Sequence, residues 1–339
     1  MAATEMMNSV QVVSARSQAR RALGLLGGRA TLGPFAALLL AIAFFSFESN
    51  LFLRGPNLSL ILQQSVEVGT LAIGQTLIVL TAGIDLSCGL VMAFGMIVMT
   101  KLAVDNGVSP YVSILLGIGA CAGFGLLNGV LVTRIKLPAF IVTLGTLNIA
   151  TAIVQIYSQQ QTIESPGSVL TYFGRTFALG GTTTITYGVV VMLGLFAFFG
   201  FLLSQTAWGT RIYALGSSAA STRLSGVRTD RLLVSVYVVA GLIYGVAALL
   251  LIGRTGVGDP NAGTTDNLDS ITAVVLGGTS LFGGRGRLIG TLFGTLIVGV
   301  IRNGLVLMGV DSIYQILITG ILVILAVSVD QLTRRRSRG

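Results

Sequence analysis

The side chains of this 339-residue chain that could do chemistry are few, and most can only hydrogen-bond. There is no histidine, which removes His-based triads, haem ligation and H-E-x-x-H zinc sites together. No G-x-x-x-x-G-K-[ST] loop is present to cradle a nucleotide. Cys88 and Cys121 both sit in apolar runs without ligand or redox spacing and read as packing residues, so no metal site and no bound cofactor are expected. What remains is polar groups set into apolar stretches. Gln64, Glu67 and Gln75 fall within about 80° of one another at 100° per residue, and Asn148, Thr151 and Gln155 within about 60°. Polar side chains cost energy in hydrocarbon unless they face a bundle interior, a partner or water, so both stripes are expected to point inward. Such a lining offers neutral hydrogen-bonding groups to a hydroxyl-rich solute; the same groups could equally do no more than tie helices together. A carboxylate at the depth of Glu67 could also hold a proton or a cation, which would imply ion coupling, or lie at a helix end within reach of water.

The other charged groups in apolar surroundings read as structural. Asp85, in the run TAGIDLSCG with Ser87 behind it, is expected to cap the helix that follows, and Asp266 and Asp269 to open a later one in the same way. Arg302, beside Asn303, reads as a paired or snorkelling residue. The GGRGR run at 283–287 lacks the Lys-Ser/Thr of a phosphate loop and reads as a tight basic turn.

The elements that must carry these groups are membrane spans. Hydrophobic residues make up 53% of the chain and charged ones only 10%, and the mean hydropathy is +0.88; no soluble domain has that composition. A span takes about 20 mostly apolar residues, and the charges leave runs of that order at 106–133, 137–163, 176–210, 232–253 and 312–329, among others. The expected segments are 32–52, 59–80, 86–103, 110–132, 138–157, 185–204, 232–253, 268–283, 288–308 and 312–329, an all-α polytopic bundle of about ten crossings. The third, eighth and ninth are glycine-rich and short enough to be tilted or re-entrant. The 45 glycines fit this reading, since small-xxx-small pairs at Gly119/Gly123, Gly125/Gly129, Gly241/Gly245 and Gly290/Gly294 let helices approach closely.

The net charge of +9 is scattered over short loops, not gathered in a patch for nucleic acid. A cytoplasmic N-terminus puts Arg16, Arg20, Arg21, Arg29, Arg134, Lys136, Arg211, Arg223, Arg228, Arg231, Arg285, Arg287, Arg334, Arg335, Arg336 and Arg338 inside. Arg54, Lys101, Arg175 and Arg254 then lie outside, which is the positive-inside pattern. The division is a cytoplasmic segment 1–31, a transmembrane domain 32–330 and a basic cytoplasmic tail 331–339, with no cleaved signal. Of the two long connections, 158–184 belongs outside and 205–231 inside. Within the latter, 205–215 is expected to extend the sixth helix, with Trp208 and Tyr213 at the interface, and Gly216 to break it. Ser217 then caps a short helix from Ser218 to Leu224 that Gly226 ends. A short helix held between two glycines suits the docking of a cytoplasmic partner.

Five runs in order, GIDLSCG (83–89), KLPAFIVTLGTLNIA (136–150), WGTRIYALGSSAASTRLSGV (208–227), AVVLGGTSLFGGRG (273–286) and IRNGLVLMGV (301–310), resemble the ribose-type branch of carbohydrate ABC importer permeases. The resemblance implies a type II importer-like fold and a homodimer in the bacterial inner membrane with the pathway along its axis. It further implies a cytoplasmic ATP-binding subunit that carries ATP and Mg, and a periplasmic sugar-binding protein. Gly216, Ser217, Ser218, Ala219, Ala220, Arg223, Leu224 and Gly226 match the family's coupling helix, though relatives often carry acidic residues where this chain has Ser217 and Ser218. Asn267 likewise stands where relatives often have Glu. Two other transporter classes compete: an ion-coupled secondary transporter, supported by Glu67 and Asp85, and an ABC permease for branched-chain amino acids, against which the GIDLS and GGTS runs weigh. A membrane-embedded enzyme is the weakest alternative, for want of histidine or a convergent nucleophile.

Overall fold

The computed structural model describes residues 31–165 and 169–336, so the N-terminal segment up to residue 30 and the last three residues of the basic tail lie outside the described residues. Twelve helices follow one another in the described chain: α1 (Leu32–Glu48), α2 (Gly55–Leu80), α3 (Cys88–Val104), α4 (Pro110–Arg134), α5 (Ala139–Ser158), α6 (Tyr187–Gln205), α7 (Ala207–Ser217), α8 (Ala219–Leu224), α9 (Thr229–Thr255), α10 (Asp266–Leu276), α11 (Leu288–Leu307) and α12 (Ser312–Arg336). The ten expected segments correspond to α1–α6 and α9–α12, and the all-α polytopic class holds. Prolines set several starts: Pro56 and Pro110 stand in the first turns of α2 and α4, and Pro138 precedes α5, positions where a missing N–H costs nothing. Left-handed residues set ends, Gln159 after α5 and Gly256 after α9.

Among the described residues, α4, α5, α6, α9 and α11 are long and apolar enough by themselves to cross a membrane. Helix α2 is the longest but one, at 26 residues, yet carries glutamines, a glutamate and threonines. It can do so because Thr70, Gln75 and Thr76 lie between Val68 and Leu80, where every residue is buried inside the bundle, while Gln63, Gln64 and Glu67 are half-buried and Glu67 is paired with Arg254. Its register against α11 is antiparallel: Asn57 exchanges amide hydrogen bonds with Asn303 at 3.0 Å, Ser65 lies under Gly299, and Thr76 meets Thr291 at 2.9 Å. Helix α9 lies along both α2 and α4, with Tyr244 over Gly74 and Gly125 and Gly129 seated on the backbone of Tyr237 and Val234. The paired glycines of α9 and α11 are likewise in close helix contact, but Gly119 and Gly123 have nothing within 4 Å. That last pair is not in helix contact within the chain and faces out of it.

Two segments depart from plain crossings. After Leu80 the chain does not leave the bundle: Asp85 accepts a hydrogen bond from Tyr244 Oη at 3.2 Å, and the Tyr244 ring covers Gly74. The 81–87 loop has therefore climbed back beside α2 by about 9 Å, the rise of the helix between Gly74 and Leu80, before α3 begins at Cys88. The eighth expected span, 268–283, is not a crossing: α10 has 11 residues, about 16 Å at 1.5 Å per residue. Its other half is non-helical chain, the end of a short strand followed by turns. Gly258 packs on Thr100 near the end of α3, and Gly263 on Gly89 at its start, so 258–263 runs down the length of α3 and α10 completes the passage. Non-helical backbone survives at membrane depth only when enclosed by protein; here Leu86 C=O accepts from Asn267 Nδ2 at 3.1 Å.

The 158–184 connection, with 166–168 outside the described residues, carries strands not anticipated from the sequence: β1 (Ile163–Glu164), β2 (Thr176–Gly180) and β3 (Thr183–Thr186), with β4 (Val257–Gly258) after α9. β2 and β3 form an antiparallel hairpin and β1 pairs antiparallel with β4, Ile163 opposite Gly258.

Candidate functional site

The α8 end of the bundle holds the expected docking segment. Helix α6 stops at Gln205 instead of continuing: Thr206 is extended (φ −116°) and its hydroxyl caps α7 by accepting from Gly209 N–H at 3.2 Å. Gly209 allows the turn, since a Cβ there would run into the backbone of Leu202 and Leu203. Trp208 donates to Ser235 at 3.0 Å, fastening α7 to α9. The break after α7 falls later than Gly216. The helix runs through Ser217, whose hydroxyl donates to Tyr213 C=O at 2.9 Å, and the cap of α8 is Ser218, which accepts from Ser221 N–H at 3.2 Å. A serine donating back along its own helix is unavailable as a cap. Gly226 does end the unit, in the left-handed region at φ +81°, with Val227 N–H returning to Thr222 C=O.

The outer face of α8 is bare. Ala219, Ala220, Arg223 and Leu224 are exposed, Leu224 to 89%, while Thr222 is buried against the bundle. Arg223 is held by Thr229 Oγ1 at 3.1 Å and Asp230 at 3.2 Å. This is a small, stiff, smooth-topped helix with one apolar knob and one tethered cation.

The polar stripes separate. On α2, Gln64 is half-buried, Glu67 is bound to Arg254 at the end of α9 with Oε2 to Nη2 at 2.7 Å, and Gln75 is fully buried with neither amide atom paired. On α5, Gln155 donates to Pro260 C=O at 3.3 Å and Asn261 Oδ1 at 3.2 Å, and Thr151 bonds back to Leu147 C=O. Asn148 is exposed, donating only to Leu144 C=O at 3.1 Å. Within the single chain the α2 groups face the bundle and Asn148 faces outward, because 100° per residue places neighbours on a face but does not say which face the rest of the fold covers.

Around Glu67 the structure gathers groups from distant parts of the chain. Asp266 stands beside it, buried with Oδ2 unpaired, and one turn on Asp269 pairs with Arg302 of α11 at 3.3 Å. The expected pairing of Arg302 is thus found, with a partner 33 residues away. A small crevice between Gln63, Glu67, Gly188 and Arg254 opens next to the ion pair. Asp85 is not the interfacial cap expected from its run. It is buried, and its Oδ1 accepts from both the backbone N–H (2.8 Å) and hydroxyl (2.6 Å) of Ser87, ordering the re-entrant loop, while no side chain caps α3. Asn128 of α4 donates to the same Ser87 at 3.2 Å. Arg254, Tyr244 and Asn128 carried no local signal in the sequence: each acts through a residue more than forty positions away.

Comparison with known proteins gives this geometry a context. Residues 57–327 match the family described as "Branched-chain amino acid transport system / permease component". The chain is 44% identical to the fructose import permease protein of Rhizobium meliloti, over 89% of this chain and 85% of that one. It is 38% identical to the ribose import permease protein of Bacillus subtilis, over 88% and 92%. The galactose/methyl galactoside import permease protein of Escherichia coli is 31% identical, over 90% and 95%.

Proposed function

The chain belongs to this family of transport-system permease components, and we propose that it is the membrane-spanning subunit of an ATP-driven importer for a monosaccharide. The observation that carries the sugar over the branched-chain amino acid is identity: relatives at 31–44% over most of both chains are import permeases for fructose, ribose and galactose. The bare α8 supports a cytoplasmic ATP-binding partner seated there, with Leu224 as its apolar anchor. A periplasmic sugar-binding protein delivers the solute at the opposite end, and a second copy of the chain completes the pathway. An amide in the middle of an apolar helix, as Asn148 is, favours a face that the assembly covers. The α8 end is then the cytoplasmic end of the inner membrane, with both termini on that side. Gln64, Glu67, Gln75, Asn148, Thr151 and Gln155 remain the proposed pathway and packing polar set. The neutral amides and hydroxyls suit a sugar's hydroxyl groups, and the pairing of Glu67 with Arg254 weighs against a free ion-coupling carboxylate.

The test is reconstitution in vesicles with and without the ATP-binding and sugar-binding subunits. Uptake of fructose or ribose is expected only with all subunits and ATP, and the chain alone should hydrolyse none. Uptake by the chain alone under a proton or sodium gradient would establish the secondary-transporter reading instead. For orientation, single cysteines replacing Ser218 and Gln160 should label from opposite sides of the membrane; labelling of both by an impermeant reagent from outside would refute the topology.

A further inference from the structure

The base of the docking segment is joined to both irregular parts of the bundle by backbone atoms. Gly284 N–H donates to Leu80 C=O at 2.9 Å, tying the turn between α10 and α11 to the last residue of α2, where the re-entrant loop begins. Gly216, in the last turn of α7, lies against both atoms of that bond, so closely that a Cβ on it would strike Leu80 C=O. Gly283 is packed on Ala82 and on Gly216 C=O, and Gly284 on Ser217. Ala82, Gly283 and Gly284 are all in the left-handed region, at φ +63°, +80° and +70°, so the three segments meet through sharp turns that bring main chain onto main chain. One side chain reaches across: Tyr213 Oη donates to Gly286 C=O at 2.9 Å.

Two irregular elements start from this junction. The 81–87 loop leads to Asp85 and its bond to Tyr244, and the 277–287 turn leads into the end of α10, whose first turn holds Asp266 and Asp269 beside Glu67 and Arg302. A shift of α8 is carried by α7, because only Ser218 separates the two helices. Backbone in direct contact has no rotamers with which to absorb the shift.

We propose that Tyr213 is a positioning residue for coupling: its hydroxyl locks α7 to the α10–α11 turn, so that movement of the docked α8 drives the two irregular elements together. This rests on α8 being the docking site of the ATP-binding subunit. The ring of Tyr213 fills its space with or without the hydroxyl, so Tyr213→Phe removes the lock while keeping the packing.

The experiment uses the complete reconstituted transporter and compares Tyr213→Phe with Ala220→Glu, reading subunit assembly, ATP hydrolysis and sugar transported per ATP. Tyr213→Phe is expected to assemble normally and hydrolyse ATP, with sugar per ATP reduced about fivefold, the weight of one hydrogen bond. Ala220→Glu is expected to weaken assembly itself. If Ala220→Glu disrupts assembly and Tyr213→Phe leaves the ratio unchanged, the lock is wrong and the docking reading stands. Normal assembly of Ala220→Glu removes the docking reading and this inference with it. Failure of the Tyr213→Phe chain to accumulate in the membrane would make Tyr213 a folding residue and overturn the assignment.

Discussion

Two levels of the bundle are held by different kinds of contact. At the α8 end, α2, α7 and the α10–α11 turn meet through main-chain atoms and glycines, with Gly284 N–H on Leu80 C=O at 2.9 Å and Gly216 against both. Further along α2, at the level of Glu67, α2, α9, α10 and α11 are joined by ion pairs, Glu67 with Arg254 at 2.7 Å and Asp269 with Arg302 at 3.3 Å. A backbone junction has one geometry and cannot rearrange without steric cost. Long charged side chains can exchange partners or water while their helices part. The difference teaches where rigidity and where adjustability are built in: in the proposed coupling, force enters at the stiff level, and the adjustable level lies near the proposed path of the solute.

The largest effect should come from forcing a side chain into the stiff level. Gly216→Val places a branched Cβ against Leu80 C=O, and a clash with backbone cannot be relieved by a rotamer change, so a loss of about 3 kcal/mol or more is expected. Little folded chain should be recovered from membranes. Recovery at the level of the unaltered chain, with normal uptake, would show the junction to be loose and erase the contrast.

A smaller effect is expected from the ion pair. Glu67→Gln keeps a hydrogen-bonding group facing Arg254 and loses the charge; with Arg254 about one-third exposed, the pair should be worth about 1 kcal/mol after solvent screening. A double-mutant cycle of Glu67→Gln and Arg254→Gln on thermal unfolding of the solubilised chain measures it. ATP-driven uptake should survive Glu67→Gln largely intact. Complete loss of uptake at normal expression, together with loss of a proton or sodium dependence, would move Glu67 from adjustable contact to coupling site.

The smallest effect separates two adjacent serines. Ser218→Ala removes the cap of α8, at about 0.5–2 kcal/mol of local helix stability, and should slightly weaken binding of the ATP-binding subunit. Ser217→Ala loses only a hydroxyl bond back to Tyr213 C=O and should do less. A binding titration with the two variants side by side gives the order, and the reverse order would move the cap to Ser217.

Much of the bundle is legible in the sequence. The boundaries of α4, α5, α6 and α9 fall within a few residues of those drawn from charge-free apolar runs, since a helix that crosses lipid must be continuous and apolar. The exposed α8, ended by Gly226, was also legible, because a left-handed glycine and a short polar run act locally. The cap was misplaced by one residue for an equally local reason: Ser217 and Ser218 are interchangeable in sequence, and only the direction of the Ser217 hydroxyl distinguishes them. Glu67 stands out in the sequence as a carboxylate in an apolar run, but its partner lies 187 residues away and no periodicity connects them. Asp85 was assigned to the next helix because caps are the commonest use of such a residue, whereas its second oxygen bonds a tyrosine of α9.

The amino-acid sequence by itself determined that the chain lives in a membrane, where most of its helices begin and end, and that a short helix stands on one connection. Those properties depend on hydrophobicity and on backbone preferences within a few residues. Only the tertiary structure decided that α10 is half a crossing completed by non-helical chain, that the 81–87 loop turns back into the bundle, and that Gly216, Leu80 and Gly284 share one junction. Each of those depends on backbone groups finding partners across the fold, Leu86 C=O with Asn267 and Leu80 C=O with Gly284. Every residue carries the same backbone N–H and C=O, so nothing in the one-letter code marks which pairs will meet.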